Sequence, residues 1–243
     1  MPPLLFPRKT RPYLSTSLLL AGLLLLPSIW GMAAAAPITT RSPQAGSTHR
    51  DIALVYITGD LGSHFGLGHT VVPRLLHNGY AVSTIDSLKA FRQRLTAHQT
   101  AALVEMAARA AMAQGHAARV VIIGHSFGAD MLPPAMGELS PAIANRVAMM
   151  VLIVPSHAVY DHVALTEIMS IRKARGDALP AARRVGAIPR LCIQGEKEED
   201  SLCPLLTSAG YERQILPGAH HLNNDAALLS TILLHRLAQL MGQ

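Results

Sequence analysis

At 243 residues the chain is long enough for one α/β domain and short for two. Half of it is hydrophobic but only 4% is aromatic, so Leu, Val, Ile and Ala must fill the core. The formal charge of +6 is not clustered with aromatics, which argues against a nucleic-acid partner. Three of the positive charges (Arg8, Lys9, Arg11) fall in the N-terminal leader, and the remaining mildly basic chain is compatible with approach to an anionic membrane surface.

Residues 1–36 read as a cleaved secretory signal. Arg8-Lys9-Thr10-Arg11 is a basic start, Leu18 to Leu26 an apolar centre, and Ala33-Ala34-Ala35-Ala36 a set of small-residue cleavage options. The apolar run falls short of the about 20 residues that a membrane span needs. An exported, periplasmic protein is expected. The two cysteines, Cys192 and Cys203, then predict one disulfide, worth about 3 kcal/mol at most from chain entropy.

Residues 37–50, rich in Pro, Thr, Ser and Gly, read as a flexible leader. The domain proper spans 51–243. Ile52 to Ile57 is wholly apolar, as in a parallel strand buried on both faces. It runs into the glycine-rich Thr58-Gly59-Asp60-Leu61-Gly62-Ser63. A helix through Thr70 to His77 is stopped by Asn78-Gly79, and Ala81 to Ile85 is the next strand. Residues 96–114 carry Ala, Leu, Val and Met at helical spacing. Val147 to Val154, Leu191 to Ile193 and Tyr211 to Leu216 are further strands, and Ala226 to Met241 closes the chain as an amphipathic helix capped by Asn224 or Asp225. Residues 155–189 hold no strong strand. They read equally as a helical cap over the site or as a solvated excursion.

The chain is organised around Val120-Val121-Ile122-Ile123-Gly124-His125-Ser126-Phe127-Gly128-Ala129-Asp130. A β-branched run entering Gly-x-Ser-x-Gly and leaving as a helix is the context of a nucleophile elbow, with Pro133-Pro134 bending or shortening that helix. Ser126 is then the nucleophile. Phe127 N–H and the N–H of Asp60 or Leu61, in the loop after the first core strand, are the expected oxyanion donors. A serine hydroxyl needs a histidine base, and the histidine an acid, in the chain order Ser, acid, His. The acid is expected after the 191–193 strand. Asp200 is favoured, with Glu198 and Glu199 as rivals and Asp161 a weaker one. The base is expected in Pro217-Gly218-Ala219-His220-His221; His220 is favoured and His221 is the alternative, otherwise contacting substrate. No cofactor is expected. His64, His69, His157 and His162 fit no zinc-type spacing, so no metal is expected either. The fold class is α/β, an α/β-hydrolase fold with a mostly parallel sheet, helices on both faces and a small helical cap.

These residues resemble the bacterial virulence VirJ/AcvB family over about 51–240. The resemblance rests on Thr58-Gly59-Asp60, Asp86-Ser87-Leu88, the Gly124 to Asp130 stretch, Gly195-Glu196-Lys197-Glu198-Glu199-Asp200-Ser201-Leu202-Cys203-Pro204 and Pro217 to His221. It departs from that pattern at Leu61-Gly62-Ser63 and at Leu222. The resemblance implies a periplasmic protein associated with virulence and type IV secretion, of the single-domain VirJ type. It also implies a serine hydrolase that cleaves the aminoacyl ester of aminoacyl-phosphatidylglycerol, notably the lysyl ester, at the membrane surface. Asp60, Asp130, Glu196, Glu198 and Glu199 are then candidates to pair with the lysyl ammonium groups, and the basic cap to meet the lipid phosphate. A secretion-associated binding protein on a hydrolase scaffold, and a general carboxylesterase or thioesterase, are the alternatives.

Overall fold

A computed structural model describes residues 36–44, 51–157 and 178–242. The signal segment up to Ala35, residues 45–50, and the central part of the expected cap, with Asp161, His162 and the basic Arg172 to Arg175 stretch, lie outside the described residues.

The strands are β1 Ile38–Arg41, β2 Ile52–Ile57, β3 Val82–Ile85, β4 Arg119–His125, β5 Val147–Ile153, β6 Arg190–Gly195 and β7 Glu212–Leu216. They form one sheet in the order β1-β3-β2-β4-β5-β6-β7. All neighbours are parallel except β1, which runs antiparallel to β3. The segment read as a flexible leader therefore holds an edge strand. Its polar Ile-Thr-Thr-Arg sequence suits an edge, and Thr40 Oγ1 meets Ser83 Oγ at 2.7 Å.

The apolar runs of β2 and β4 have side chains buried on both faces, which requires a layer of helices on each. On one side lie α1 Gly66–His77 and α8 Ala226–Leu240, packing Val71, Leu75, Leu229 and Leu233 against Leu54, Tyr56, Val121 and Ile123. On the other lie α3 Ala97–Gly115 and α4 Phe127–Met136, packing Val104, Ala108 and Leu132 against Val55, Ile57 and Ile122. The short helices α5 Pro141–Ala144, α6 Leu179–Arg183 and α7 Cys203–Leu206 extend this second layer, and α2 Ser87–Ala90 follows β3 directly. Thr96 and Gln99 form a capping box on α3, and Asp225 caps α8 through Leu228 N–H at 2.9 Å. Pro133 and Pro134 lie inside α4, a helix of 10 residues.

The strand order reverses between β2 and β4. The chain goes outward from β2 to β3, then returns to lay β4 on β2's other side. The loops leaving β2 and β4 therefore diverge to opposite faces and open a crevice at their carboxyl ends, where ligands of open α/β sheets bind.

Cys192 on β6 and Cys203 on α7 are joined by a disulfide with Cα atoms 5.5 Å apart. The bond closes a ring that contains the whole Glu196–Asp200 loop.

Candidate active site

The turn at Ser126 is built by exclusion. A Cβ on Gly124 would sit 2.5 Å from Gly128 O, and one on Gly128 would sit 2.6 Å from Ile57 O. Only glycines let α4 start directly above β4 and lie against the end of β2. Ser126 itself adopts φ 51°, ψ −120°, a conformation that a non-glycine residue holds only when its surroundings enforce it, at a cost of roughly 1–3 kcal/mol. Here Ser126 N–H donates to Ile153 O at 2.8 Å, and Ser126 O accepts from Ala129 N–H at 2.7 Å.

Ser126 Oγ lies 2.8 Å from His220 Nε2. His220 Nδ1 lies 2.6 Å from Glu198 Oε1. The carboxylate on the imidazole is thus that of Glu198, where Asp200 was expected. Two features turn Glu198 inward. Its N–H donates to Gly195 O, and Gly195 N–H donates back to Glu198 Oε2, each at 3.2 Å. This closes a tight turn at the end of β6 and leaves the Glu198 side chain only 4% exposed. Asp200 is exposed and belongs to a different contact. Its carbonyl accepts from His157 N–H, beside a bridge between Ser156 and Ser201 that ties the loop to the exit of β5.

His221 is exposed and stands edge-on to His220, ring centres 5.7 Å apart, with no bond to Ser126. The paired carboxylate on Nδ1 and the hydroxyl on Nε2 fix the orientation of the His220 ring, an arrangement able to accept a proton from the hydroxyl. His125, between Ser126 and the core, is driven the other way. Burial first, and then the neighbouring His220 and His221, lower its pKa to about 4, so it stays neutral.

The other expected residues divide. Phe127 is the first residue of α4, and helix geometry gives its N–H no partner within the helix. Its ring packs edge-on against Phe91 at 5.1 Å, which fixes that end of the helix. A Cβ on Gly59 would lie 3.2 Å from Ser126 Cβ, so the chain leading into Asp60 and Leu61 passes directly beside Ser126. That loop is anchored to the exit of β3. Ser87 N–H donates to Thr58 Oγ1 at 2.9 Å, and Ser63 Oγ donates to Asp86 Oδ2 at 2.6 Å. Burial raises the Asp86 pKa, but the Ser63 hydroxyl and N–H, with Lys89, outweigh it and hold the carboxyl below its ordinary value.

Asp130 is 3% exposed and accepts from Ser156 N–H at 2.8 Å, so it is walled off from substrate and staples α4 to the exit of β5. Burial pushes its pKa well up; the Ser156 bond opposes this, and the charges of Asp60, Asp200 and Glu198 add to it. Glu198 is committed to His220. Of the carboxylates expected to meet a cationic substrate, Glu196 and Glu199 are exposed and Asp60 is half-buried beside Ser126. The residue that sequence reasoning passed over is Val154, a β-branched residue at φ 47° that turns the chain out of β5 toward Ser156. A fully apolar strand followed by Pro-Ser was its only signal.

Among the described residues, no group of three or more His, Cys, Asp or Glu side chains is placed to hold a metal ion. Nor is any helix among them long and apolar enough to cross a membrane.

The model of a family described as bacterial virulence protein (VirJ) matches residues 51–241. No curated protein matches the chain in sequence. Solved structures that it resembles include MenH from S. aureus, at 11% identity and a TM-score of 0.58, covering 84% of this chain and 98% of that one. Est1E from Butyrivibrio proteoclasticus, with ferulic acid bound, superposes at 12% identity and a TM-score of 0.61, over 85% of this chain and 95% of its own. An alpha-beta serine hydrolase homologue from Coxiella burnetii does so at 14% identity and 0.55, over 82% and 90%. At such identities the likeness carries the fold alone, which is the α/β-hydrolase fold.

Proposed function

The chain belongs to the bacterial virulence protein (VirJ) family, and on that footing we propose that it is a periplasmic serine hydrolase acting on the aminoacyl ester of an aminoacyl-phosphatidylglycerol, with the lysyl ester as its first substrate. The observation that carries this reading is the continuous hydrogen-bonded line from Ser126 Oγ through His220 to Glu198. His220 Nε2 takes the Ser126 proton as Oγ attacks the ester carbonyl, and Glu198 steadies the imidazolium that results. Phe127 N–H and an N–H of Asp60 or Leu61 receive the oxyanion. Collapse expels the glycerol oxygen of the lipid, which takes the proton from His220 and leaves an aminoacyl ester on Ser126. Water, deprotonated by the same imidazole, then releases the amino acid and restores the serine.

The disulfide supports export, since such bonds persist in oxidising compartments. A lysyl ester carries a side-chain ammonium at neutral pH. Asp60, half-buried beside Ser126, and the exposed Glu196 and Glu199 are the carboxylates that would receive it. Purified protein incubated with lysyl-phosphatidylglycerol is expected to release lysine and phosphatidylglycerol, and Ser126→Ala to release neither. Equal turnover by wild type and Ser126→Ala would overturn the reading. Turnover confined to simple neutral esters would leave a general esterase. Restoration of a virulence phenotype by Ser126→Ala would favour a binding role in secretion instead.

A further inference from the structure

We propose that a cavity between α1 and the edge strands β1 and β3 is a phosphate site, holding the phosphate group of the molecule whose ester meets Ser126. The link to the ester rests on the hydrolase reading above, while the phosphate binding does not. The cavity has a volume of about 160 Å³, room for several waters and so for a tetrahedral oxyanion.

Basic side chains reach it from four directions: Arg41 from β1, His64 from the loop before α1, His69 from the first turns of α1, and Lys89 from α2. Against them stands one carboxylate, Asp86, which is already held by the Ser63 hydroxyl and lies 3.4 Å from Lys89 Nζ. Arg41 makes no ion pair among the described residues, and its planar fork suits two phosphate oxygens at once.

Two further features accompany this basic lining. The N-cap of α1 is Phe65, which supplies no side-chain cap, so the first N–H groups of this 12-residue helix, whose first turns line the cavity at Gly68 and His69, carry none. Behind the lining residue Gly68, where a Cβ would lie 3.3 Å from it, Tyr56 Oη is fully buried with no hydrogen-bond partner among the described residues. Hydroxyls of Thr39 and Thr84, paired across β1 and β3, complete a wall of donors.

The position relative to catalysis is equally specific. Thr58 lines the cavity, and the next residue, Gly59, lies against Ser126. In the strand order the cavity, at β1 and β3, lies on one side of β2 and the Glu196–Asp200 loop, after β6, on the other, so a substrate with a cationic acyl group and an anionic alcohol group fits in one orientation. Leu61 and Phe65, 47% and 65% exposed on the same loop, offer apolar contact that a lipid would use and free phosphate would not.

Binding is measured on Ser126→Ala protein lacking the 1–36 signal segment, so that neither turnover nor the apolar leader can intervene. The probes are inorganic phosphate, glycerol phosphate, and vesicles of phosphatidylglycerol against vesicles of phosphatidylcholine. Arg41→Gln/His69→Gln is expected to weaken binding at least tenfold, with Arg41→Lys recovering part of it. Should that double variant melt early, His64→Gln/Lys89→Gln reads the same cavity from its other rim. Soluble phosphates that bind and displace the protein from phosphatidylglycerol vesicles support a site for the phosphate group from either source. Vesicle binding alone, weakened by the variants, supports a site that takes the phosphate only as a lipid headgroup. No binding to any probe, or binding that both double variants leave within twofold, overturns the proposal. None of these results bears on whether Ser126→Ala abolishes ester hydrolysis, which is measured separately by comparing that variant with the wild type.

Discussion

The elbow at Ser126 and the loop at Glu198 meet on the two nitrogens of one imidazole, but they are built by opposite means. The elbow is held by what is absent. Two glycines without Cβ atoms let a helix start touch two strand ends, and no other residue fits. The acid loop is held by what is added, namely a side chain that bonds back to its own strand end, a bridge to the exit of β5 and a disulfide at its base. A device made of exclusions leaves a fixed motif in the sequence. A device made of cross-links leaves several acids in a row and lets the three-dimensional contacts choose among them.

The largest loss is expected at the elbow. Ser126→Ala or His220→Ala should lower kcat/KM for ester hydrolysis by roughly 10³-fold or more while leaving the circular dichroism spectrum intact. Next comes the choice of acid. Glu198→Gln should cost roughly 10²–10⁴-fold in kcat/KM, and Asp200→Asn less than about threefold, in the same ester assay. A reversed order would return the role to Asp200.

Gly124→Ala tests exclusion itself. With backbone at 2.5–2.8 Å from the new methyl, α4 must shift off β4, and we expect a loss of about 1–3 kcal/mol or more in denaturant unfolding together with loss of activity. Reduction of the disulfide, or Cys192→Ser/Cys203→Ser, tests the cross-links. A ring of this size contributes about 3 kcal/mol by the chain-entropy account, so the thermal midpoint should fall by several degrees. Activity should fall with it, because Glu198 lies inside the ring.

The smallest expected effect concerns pH. The folded protein holds His125 at a pKa of about 4, below its unfolded value, so the unfolded chain binds the extra proton first. Stability is therefore lost as pH falls from about 6.5 toward 4. His125→Gln should flatten that part of the thermal-midpoint curve. Asp130 acts with the opposite sign: its raised pKa makes the folded state prefer the proton, so stability falls as pH climbs above the ordinary carboxyl range. Asp130→Asn, which keeps an acceptor for Ser156 N–H, should remove that decline.

How far the sequence could be read follows the same division. β2, β4 and β5 are apolar throughout because parallel strands are covered on both faces, and their positions are plain from composition alone. β1 was not legible. An edge strand needs no apolar face, and Ile-Thr-Thr-Arg among prolines and serines carries no periodicity; it forms because β3 has an open edge to pair with. Ser126 was legible from its glycines. Glu198 was not, since Glu196, Glu198, Glu199 and Asp200 are equivalent in chemistry. The selection is made by the turn onto Gly195 and by the pull of Ser201 toward Ser156, both of which depend on residues distant in the chain or on backbone geometry. Asp130 looked available for substrate because it follows the serine motif on a helix, yet position i+4 from Ser126 faces inward, against Ser156.

One labelling experiment tests the line from Ser126 through His220 to Glu198 most directly. Full-length protein treated with a fluorophosphonate and digested for mass spectrometry is predicted to carry a single adduct on Ser126, formed at a rate that Glu198→Gln lowers at least tenfold and Asp200→Asn leaves nearly unchanged. An adduct on another residue, or a rate at Ser126 indifferent to Glu198, would contradict it.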